Sequence, residues 1–227
     1  MRFSFRALSY GDGIKLCAEM ECEGGERGQQ TPIGLLLSAE YDGKVVVFQL
    51  QNSDFKEAPS FMCGRFTLHQ STKDIARRFG VEVPDDLQPR FNVAPMQQIA
   101  AIVSDGEPRF ERLKWGLVPF WAKDASIGHR LVNARLEGLT SKPAFREAFA
   151  RRRCLVVANG FYEWAVGASG RKQPFFIRPR KEPMLALAGL WERWRTPQGQ
   201  TLETCVIVTT DATPDLAPIH DRMPLLI

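Results

Sequence analysis

A cysteine that directly follows a methionine can carry two nucleophiles on one residue, and the chain contains such a pair at Met62-Cys63. If the bond between them is absent, Cys63 has a free α-amine beside its thiol. The amine can condense with an aldehyde to a Schiff base, and the thiol can then close a five-membered thiazolidine. An α-amine, with a reference pKa of about 8, is also neutral far more often than a lysine at about 10.4. The alternative is an ordinary buried cysteine.

Condensation with an aldehyde moves a proton at each step, so a carboxyl or imidazole group should lie near the amine. Glu163 lies between the aromatic residues Tyr162 and Trp164, a setting that can raise a carboxyl pKa towards the useful range. His220 precedes Asp221, whose carboxylate can orient the ring, which makes His220 a candidate proton shuttle. The alternatives are a solvent-facing strand glutamate and a structural histidine.

Three further polar residues are candidates for holding a substrate. The amide of Asn133 can hold a polar ligand or the cysteine by hydrogen bonds, with a turn or helix-capping asparagine as the alternative. Arg65 and Arg135 carry planar guanidinium groups that match phosphate oxygens and stay charged. For either arginine, a surface salt bridge is the alternative.

Aromatic residues are interleaved with glycine, proline and lysine over residues 115–123. Trp115, Phe120 and Trp121 are suited to stacking on unpaired bases, which contributes about 1–3 kcal/mol per base. Core packing is the alternative, and we expect it to account for at least one of the three rings.

Charge is distributed unevenly along the chain. Residues 1–61 hold six Lys and Arg against nine Asp and Glu, so the net charge of +4 on all 227 residues leaves +7 on residues 62–227. A basic body fits a polyanionic partner, although a lysine- and arginine-rich surface on any soluble protein fits equally well.

Cysteine spacing and hydropathy exclude several classes of protein. The five cysteines have no paired metal-type spacing, so a disulfide scaffold and a zinc site are disfavoured. No dinucleotide or phosphate-loop motif is present, and we expect neither a metal nor a cofactor. No apolar run approaches the length of a membrane span, so we predict a cytoplasmic protein with reduced thiols.

The elements that must position these residues are mostly strands. Short apolar runs rich in branched residues lie at 99–103, 154–158, 175–177, 184–190 and 205–209. Ser71 or Thr72 can cap a helix through Arg78 that Gly80 ends, and residues 141–143 are expected to open a second helix. The sequence therefore predicts an α+β domain dominated by antiparallel strands.

Residues 1–61 contain glycine-rich turns and no long periodic pattern. We interpret them as a poorly ordered N-terminal extension that is either removed or upstream of the true start at Met62. A short hairpin around Tyr41 to Leu50 is the structural alternative. Residues 62–227 form the predicted functional domain.

Six motifs in a fixed order give residues 62–227 a specific resemblance to a known family. They are Met62-Cys63-Gly64-Arg65-Phe66, Arg90-Phe91-Asn92-Val93-Ala94-Pro95, Trp115-Gly116-Leu117-Val118-Pro119, Asn133-Ala134-Arg135-Leu136-Glu137, Gly160-Phe161-Tyr162-Glu163-Trp164 and Ile219-His220-Asp221-Arg222-Met223-Pro224. The set resembles the SOS-response-associated peptidase (SRAP) family. The resemblance implies a partly open β-barrel-like core flanked by a few helices, in a chain that stops earlier than family members usually do.

The resemblance also implies a function, namely covalent trapping of abasic sites in single-stranded DNA by a cysteine exposed when the initiator methionine is removed. This chain departs from the family in that its cysteine is not at the second position. The implied catalytic residues are Cys63, Asn133, Glu163 and His220, and the implied DNA-binding residues are Arg65, Arg135, Trp115 and Trp121.

Several activities fit these residues. The Schiff-base stage permits weak AP-lyase cleavage by β-elimination. A cysteine peptidase that uses Cys63, His220 and Asn133, with residues 1–62 as its own substrate, is a second possibility. A non-catalytic module that binds single-stranded DNA is the third. In each case we expect a monomer in the cytoplasm, associated with the nucleoid when it is bound to DNA.

Overall fold

The computed structural model describes residues 63–104, 106–167 and 170–227, together with four upstream strands, of which residues 46–48 also have described side chains. The strands are, in chain order, β1 (Arg2–Tyr10), β2 (Gly13–Glu21), β3 (Leu36–Tyr41), β4 (Val45–Leu50), β5 (Arg65–Leu68), β6 (Arg90–Val93), β7 (Gln98–Ser104), β8 (Pro108–Trp115), β9 (Asn133–Arg135), β10 (Arg153–Ala158), β11 (Gly160–Val166), β12 (Lys172–Pro179), β13 (Leu185–Arg195), β14 (Thr201–Asp211) and β15 (Arg222–Pro224). Met62 lies outside the described residues, so its part in the prediction stays a prediction.

Five strands close into a small barrel in the order β13-β10-β7-β8-β14, and β14 pairs again with β13. Most pairs are antiparallel, but the β8–β14 contact that closes the barrel is parallel, at Thr204–Lys114 and Cys205–Trp115. β14 also pairs with the short strands β9 and β15. The predicted α+β class, with antiparallel strands around a barrel-like core, is confirmed.

A second sheet packs beside the barrel, in the order β3-β4-β12-β11-β5-β6. β3 and β4 pair as a hairpin from Leu36 to Leu50, which begins earlier than the alternative hairpin around Tyr41 to Leu50. β4 pairs with the edge of β12, and Val47 is buried in the main core. Whether residues 1–62 persist in the mature protein stays a prediction.

Two short α-helices, α1 (Thr72–Phe79) and α2 (Arg146–Arg151), accompany the sheets, with 3₁₀ helices at Ala125–Arg130 and Leu136–Gly138. The predicted cap of α1 is confirmed, since the Ser71 side chain accepts a hydrogen bond from Asp74 N and Gly80 ends the helix at φ +64°. The prediction that residues 141–143 open α2 is wrong by several residues. Those residues form turns, in which Lys142 O accepts from the N–H groups of Phe145 and Arg146.

The alternation of side-chain directions along β11 places Glu163 at the candidate site. Phe161 is buried in the main core, and a period of two puts Glu163 on the same face of the strand. Gly160 permits this close packing, because a Cβ there would lie 2.6 Å from the carbonyl oxygen of Ile177. The antiparallel register pairs Tyr162 with Arg65 and therefore sets Glu163 beside the Cys63-Gly64 turn.

Candidate active site

Cys63 lies two residues before β5, with only 3% of its surface exposed. Its thiol Sγ lies 3.9 Å from the main-chain oxygen of Arg222, to which it donates a hydrogen bond. Burial raises the pKa of the Cys63 thiol well above its ordinary value, and the neighbouring Glu163 carboxylate raises it further. The thiol is therefore neutral at physiological pH.

Glu163 is 4% exposed, and its carboxylate lies beside both the side chain and the main chain of Cys63. Both contacts favour the ionised form of the carboxylate. Burial outweighs them and raises the pKa of Glu163. Its Oε1 atom is buried and has no hydrogen-bond partner among the residues that the structure describes. A carboxyl group in this setting can hold and release a proton at the cysteine nitrogen.

His220 completes the cluster, and its positive form would stabilise the Glu163 carboxylate. Its Nδ1 atom accepts a hydrogen bond of 3.0 Å from the main-chain N–H of Arg222. Asp221 Oδ1 is also 3.0 Å from Nδ1, but that side chain is 83% exposed and free to turn away. Because a peptide N–H has a fixed direction, we assign Nδ1 as the acceptor and place the proton of the neutral ring on Nε2. The Arg222 peptide thus joins Asp221 at Nδ1, and the orienting role of Asp221 stays a prediction.

Two residues that the sequence analysis did not single out lie at the centre of this arrangement. Arg222 is 7% exposed, and its guanidinium makes two hydrogen bonds of 3.1 Å to the two carboxylate oxygens of Glu137. It also donates to Thr209 O at 2.8 Å and to the Asp211 carboxylate. Both Arg222 and Glu137 belong to the quoted motifs, so their position in the motifs was the available signal.

Asn133 and Arg135 lie on β9, where they pair in register with Ile207 and Thr209 of β14. β14 also pairs with β15, which belongs to the His220 motif. β14 therefore connects β9 with the His220 motif. Arg135 is exposed, as a phosphate contact requires. Whereas Cys63, Glu163 and His220 form one cluster, a role for Asn133 in that cluster stays a prediction.

Arg65 follows Cys63 by two residues and is partly buried. Its Nη1 atom donates a 2.7 Å hydrogen bond to Asn92 Oδ1, so an amide, not a carboxylate, holds the guanidinium. Burial lowers the pKa of Arg65 from its very high ordinary value. A phosphate contact by Arg65 stays a prediction.

The aromatic segment divides into buried and exposed rings. Trp115 is completely buried and donates from Nε1 to Val132 O at 2.8 Å, with its ring centroid 5.3 Å from that of Phe66. The prediction that it stacks on a base is therefore wrong, because the ring has no free face. Phe120 and Trp121 are 56% and 48% exposed and remain candidates for stacking.

The described residues contain no group of three or more His, Cys, Asp and Glu side chains that could hold a metal ion. Within the same part of the chain, no helix has the length and apolar character needed to cross a membrane.

The barrel, the flanking sheet and the Cys-Glu-His cluster define a class of protein that comparison with known families identifies. The family model described as SOS response associated peptidase (SRAP) matches residues 62–227, and the chain belongs to this family. The resemblance predicted from the six motifs is thereby confirmed.

Two Bacillus subtilis proteins and one solved structure are similar to this chain over about three quarters of their own length. Abasic site processing protein YoaM of Bacillus subtilis (strain 168) is 45% identical over 170 residues, which cover 73% of this chain and 75% of that protein. Abasic site processing protein YoqW of the same organism is 43% identical, with 73% and 76% covered. A crystal structure of a protein from Bacteroides thetaiotaomicron superposes with a TM-score of 0.68 at 27% identity, covering 73% of this chain and 77% of that one.

Proposed function

We propose that this protein traps abasic sites in single-stranded DNA through a thiazolidine formed by an N-terminal Cys63. The printed names of the similar Bacillus proteins, which describe abasic site processing, support the choice of substrate. An abasic deoxyribose exposes an aldehyde when its ring opens, and this aldehyde is the group that an amine and a thiol on one residue capture.

One observation carries the proposal. Both potential nucleophiles of Cys63, the α-nitrogen and the thiol, contact the same buried carboxylate, that of Glu163. A cysteine that used its thiol alone would have no need of an acid-base group at its main-chain nitrogen. The contact therefore favours chemistry at both atoms.

The backbone of Cys63 supports a free terminus. Its φ angle is +46°, in the left-handed region, where a side chain costs about 1–2 kcal/mol because it crowds the backbone. The φ torsion is defined by the carbonyl carbon of the preceding residue. Loss of the Met62–Cys63 bond removes this torsion and its strain, so the site favours the terminal cysteine.

The raised thiol pKa sets the order of the steps. The neutral α-amine attacks the aldehyde carbon, and the carbonyl oxygen takes a proton to give a carbinolamine. Glu163 donates a proton to the departing hydroxyl, so that one water leaves and an imine forms. The thiol then adds to the imine carbon and its proton passes to nitrogen, with His220 as the relay. The net products are one thiazolidine and one water.

The same observations weigh against the cysteine peptidase. Such an enzyme needs a thiolate, and its cysteine pKa is lowered by a histidine or a helix N-terminus. Here burial and Glu163 raise the pKa of Cys63 instead. Weak AP-lyase activity stays compatible with the proposal, because β-elimination proceeds from the imine.

Maturation provides the experiment that tests the proposed function. We expect purified active protein to begin at Cys63, because a peptide bond from Met62 would consume the amine. Intact-mass measurement before and after reaction with an abasic oligonucleotide gives both the terminus and the adduct, which should equal the sum of the two masses minus one water. A chain that retains Met62 and still forms a heat-stable adduct would refute the proposal.

DNA binding makes a separate prediction for Arg135. If it neutralises one phosphate, Arg135→Ala should flatten the slope of log affinity against log salt by about one unit. Fluorescence anisotropy with a short single-stranded oligonucleotide measures the slope. Arg195→Ala is the matched control, since Arg195 is exposed and pairs with Thr201, about 26 Å along β14 from Thr209, which pairs with Arg135. Equal slopes in the two variants would assign Arg135 to another role.

A further inference from the structure

The peptide groups of Arg222 contact two of the three groups on which the proposed chemistry depends. Its carbonyl oxygen accepts from the Cys63 thiol at 3.9 Å, and its N–H donates to His220 Nδ1 at 3.0 Å. The position of one main-chain unit therefore acts on the place of the thiol and, beside the Asp221 carboxylate that lies 3.0 Å from the same Nδ1 atom, on the tautomer of the imidazole. A displacement of this unit by about 1 Å would disturb both, and such misplacements can cost about 100-fold in rate.

The main chain of Arg222 is held by one short ladder, in which Arg222 pairs with Asp211 of β14. β15 is only three residues long and follows the turn that carries His220 and Asp221. Its flanking backbone hydrogen bonds run from Ala212 N to Asp221 O and from Leu225 N to Val208 O. The guanidinium adds anchors on two other elements, the 3₁₀ helix Leu136–Gly138 and β14.

Glu137 is the strongest of these anchors in geometry. Its two carboxylate oxygens take parallel hydrogen bonds of 3.1 Å from the two terminal nitrogens of Arg222, which fixes the plane of the guanidinium as well as its distance. Glu137 is 56% exposed while Arg222 is 7% exposed, so a solvent-facing carboxylate compensates a buried charge. The hydrogen bonds from Arg222 lower the pKa of Glu137, which keeps the pair ionised at neutral pH.

We propose that Glu137 is a positioning residue: by clamping the Arg222 side chain it fixes the peptide groups of Arg222, and through them the His220 tautomer and the Cys63 thiol. The catalytic consequence rests on the proposed function, but the effect on His220 does not. Glu137 touches no reacting atom, and its substitution should leave the nucleophile and the acid-base groups chemically intact.

The test uses the full chain carrying Glu137→Gln, which keeps the size of the side chain and removes its charge. Glu147→Gln is the matched control, because Glu147 is 45% exposed and also pairs with an arginine, Arg151, at 3.0 Å. We expect Glu137→Gln to slow single-turnover crosslinking at saturating DNA by about 10- to 100-fold and to alter its pH profile. Its affinity for DNA should hold or improve, since a negative charge has been removed. Glu147→Gln should match the unmodified protein in rate and pH profile.

A second measurement is independent of activity. The chain has three histidines, so the ring ¹⁵N shifts of His220 can be resolved and assigned. In the neutral ring we expect the Nε2–H tautomer in the parent chain and a mixture of tautomers in Glu137→Gln. If the parent forms no crosslink but the tautomer still shifts, the proposed function fails and the positioning role stands. A slower variant with an unchanged tautomer, or a variant that equals Glu147→Gln in both measurements, would overturn the inference.

Discussion

Replacing Cys63 by alanine should abolish the heat-stable adduct with an abasic oligonucleotide and leave a reversible Schiff base. A protein that begins at the substituted residue still has an α-amine beside Glu163, so the imine can form, but no sulfur is present to close the ring. Single-turnover assays with and without borohydride separate the two products. We expect a borohydride-dependent adduct only, together with some strand cleavage by β-elimination.

Cys154→Ala is the control for this prediction. Cys154 is a buried residue inside strand β10, where its nitrogen belongs to a peptide bond, so it offers no amine with which its thiol could close a thiazolidine. This variant should crosslink as the parent does. Durable crosslinking by the Cys63→Ala protein would show that another nucleophile captures the sugar.

Glu163→Gln and His220→Ala should each slow crosslinking by about 10²–10⁴-fold and leave the affinity for DNA nearly unchanged. Glutamine cannot transfer the proton that the departing hydroxyl needs, and alanine removes the relay that carries the thiol proton to nitrogen. Rates should be measured at saturating oligonucleotide on protein that begins at residue 63. Variants that react at the parental rate would remove these two residues from the mechanism.

Glu163→Gln should slow the reaction but should make the folded protein more stable. Burial raises the pKa of Glu163 in the folded protein, so as the pH rises above the ordinary value of 4.5 the unfolded chain loses this proton before the folded one does. The folded protein is therefore penalised at neutral pH, and the variant should unfold at higher denaturant than the parent. The difference should vanish below about pH 4.5.

The comparison for stability is Glu192→Gln. Glu192 is 3% exposed like Glu163, but Arg152 pairs with it at 2.9 Å. Loss of that carboxylate leaves a partly buried arginine without its charge partner, so this variant should be less stable than the parent. Equal responses of the two glutamates would mean that the Glu163 carboxyl is not strained by burial. A gain in stability with a loss in rate would identify Glu163 as a group retained for chemistry.

The sequence by itself determined the class of fold, the family and the residue types of the chemistry. Short branched runs predicted four of the five barrel strands, all but β8, because a buried strand needs apolar side chains on the core face. Ser71 and Gly80 predicted the ends of α1 because capping is local. The order of the motifs identified the family and pointed to Cys63, Glu163 and His220. These are properties that neighbouring residues or whole motifs carry.

The tertiary structure decided which groups meet and which side chains are accessible. Trp115 and Trp121 share one aromatic segment, yet one is completely buried and the other is 48% exposed, because the fold encloses only the first. Arg222 and Glu137 are 85 residues apart, and only the packing of the 3₁₀ helix against β14 and β15 brings them together. Likewise the pKa of Glu163 follows from the surroundings that bury it. Burial and long-range contact arise from the whole chain, so no local pattern could have fixed them.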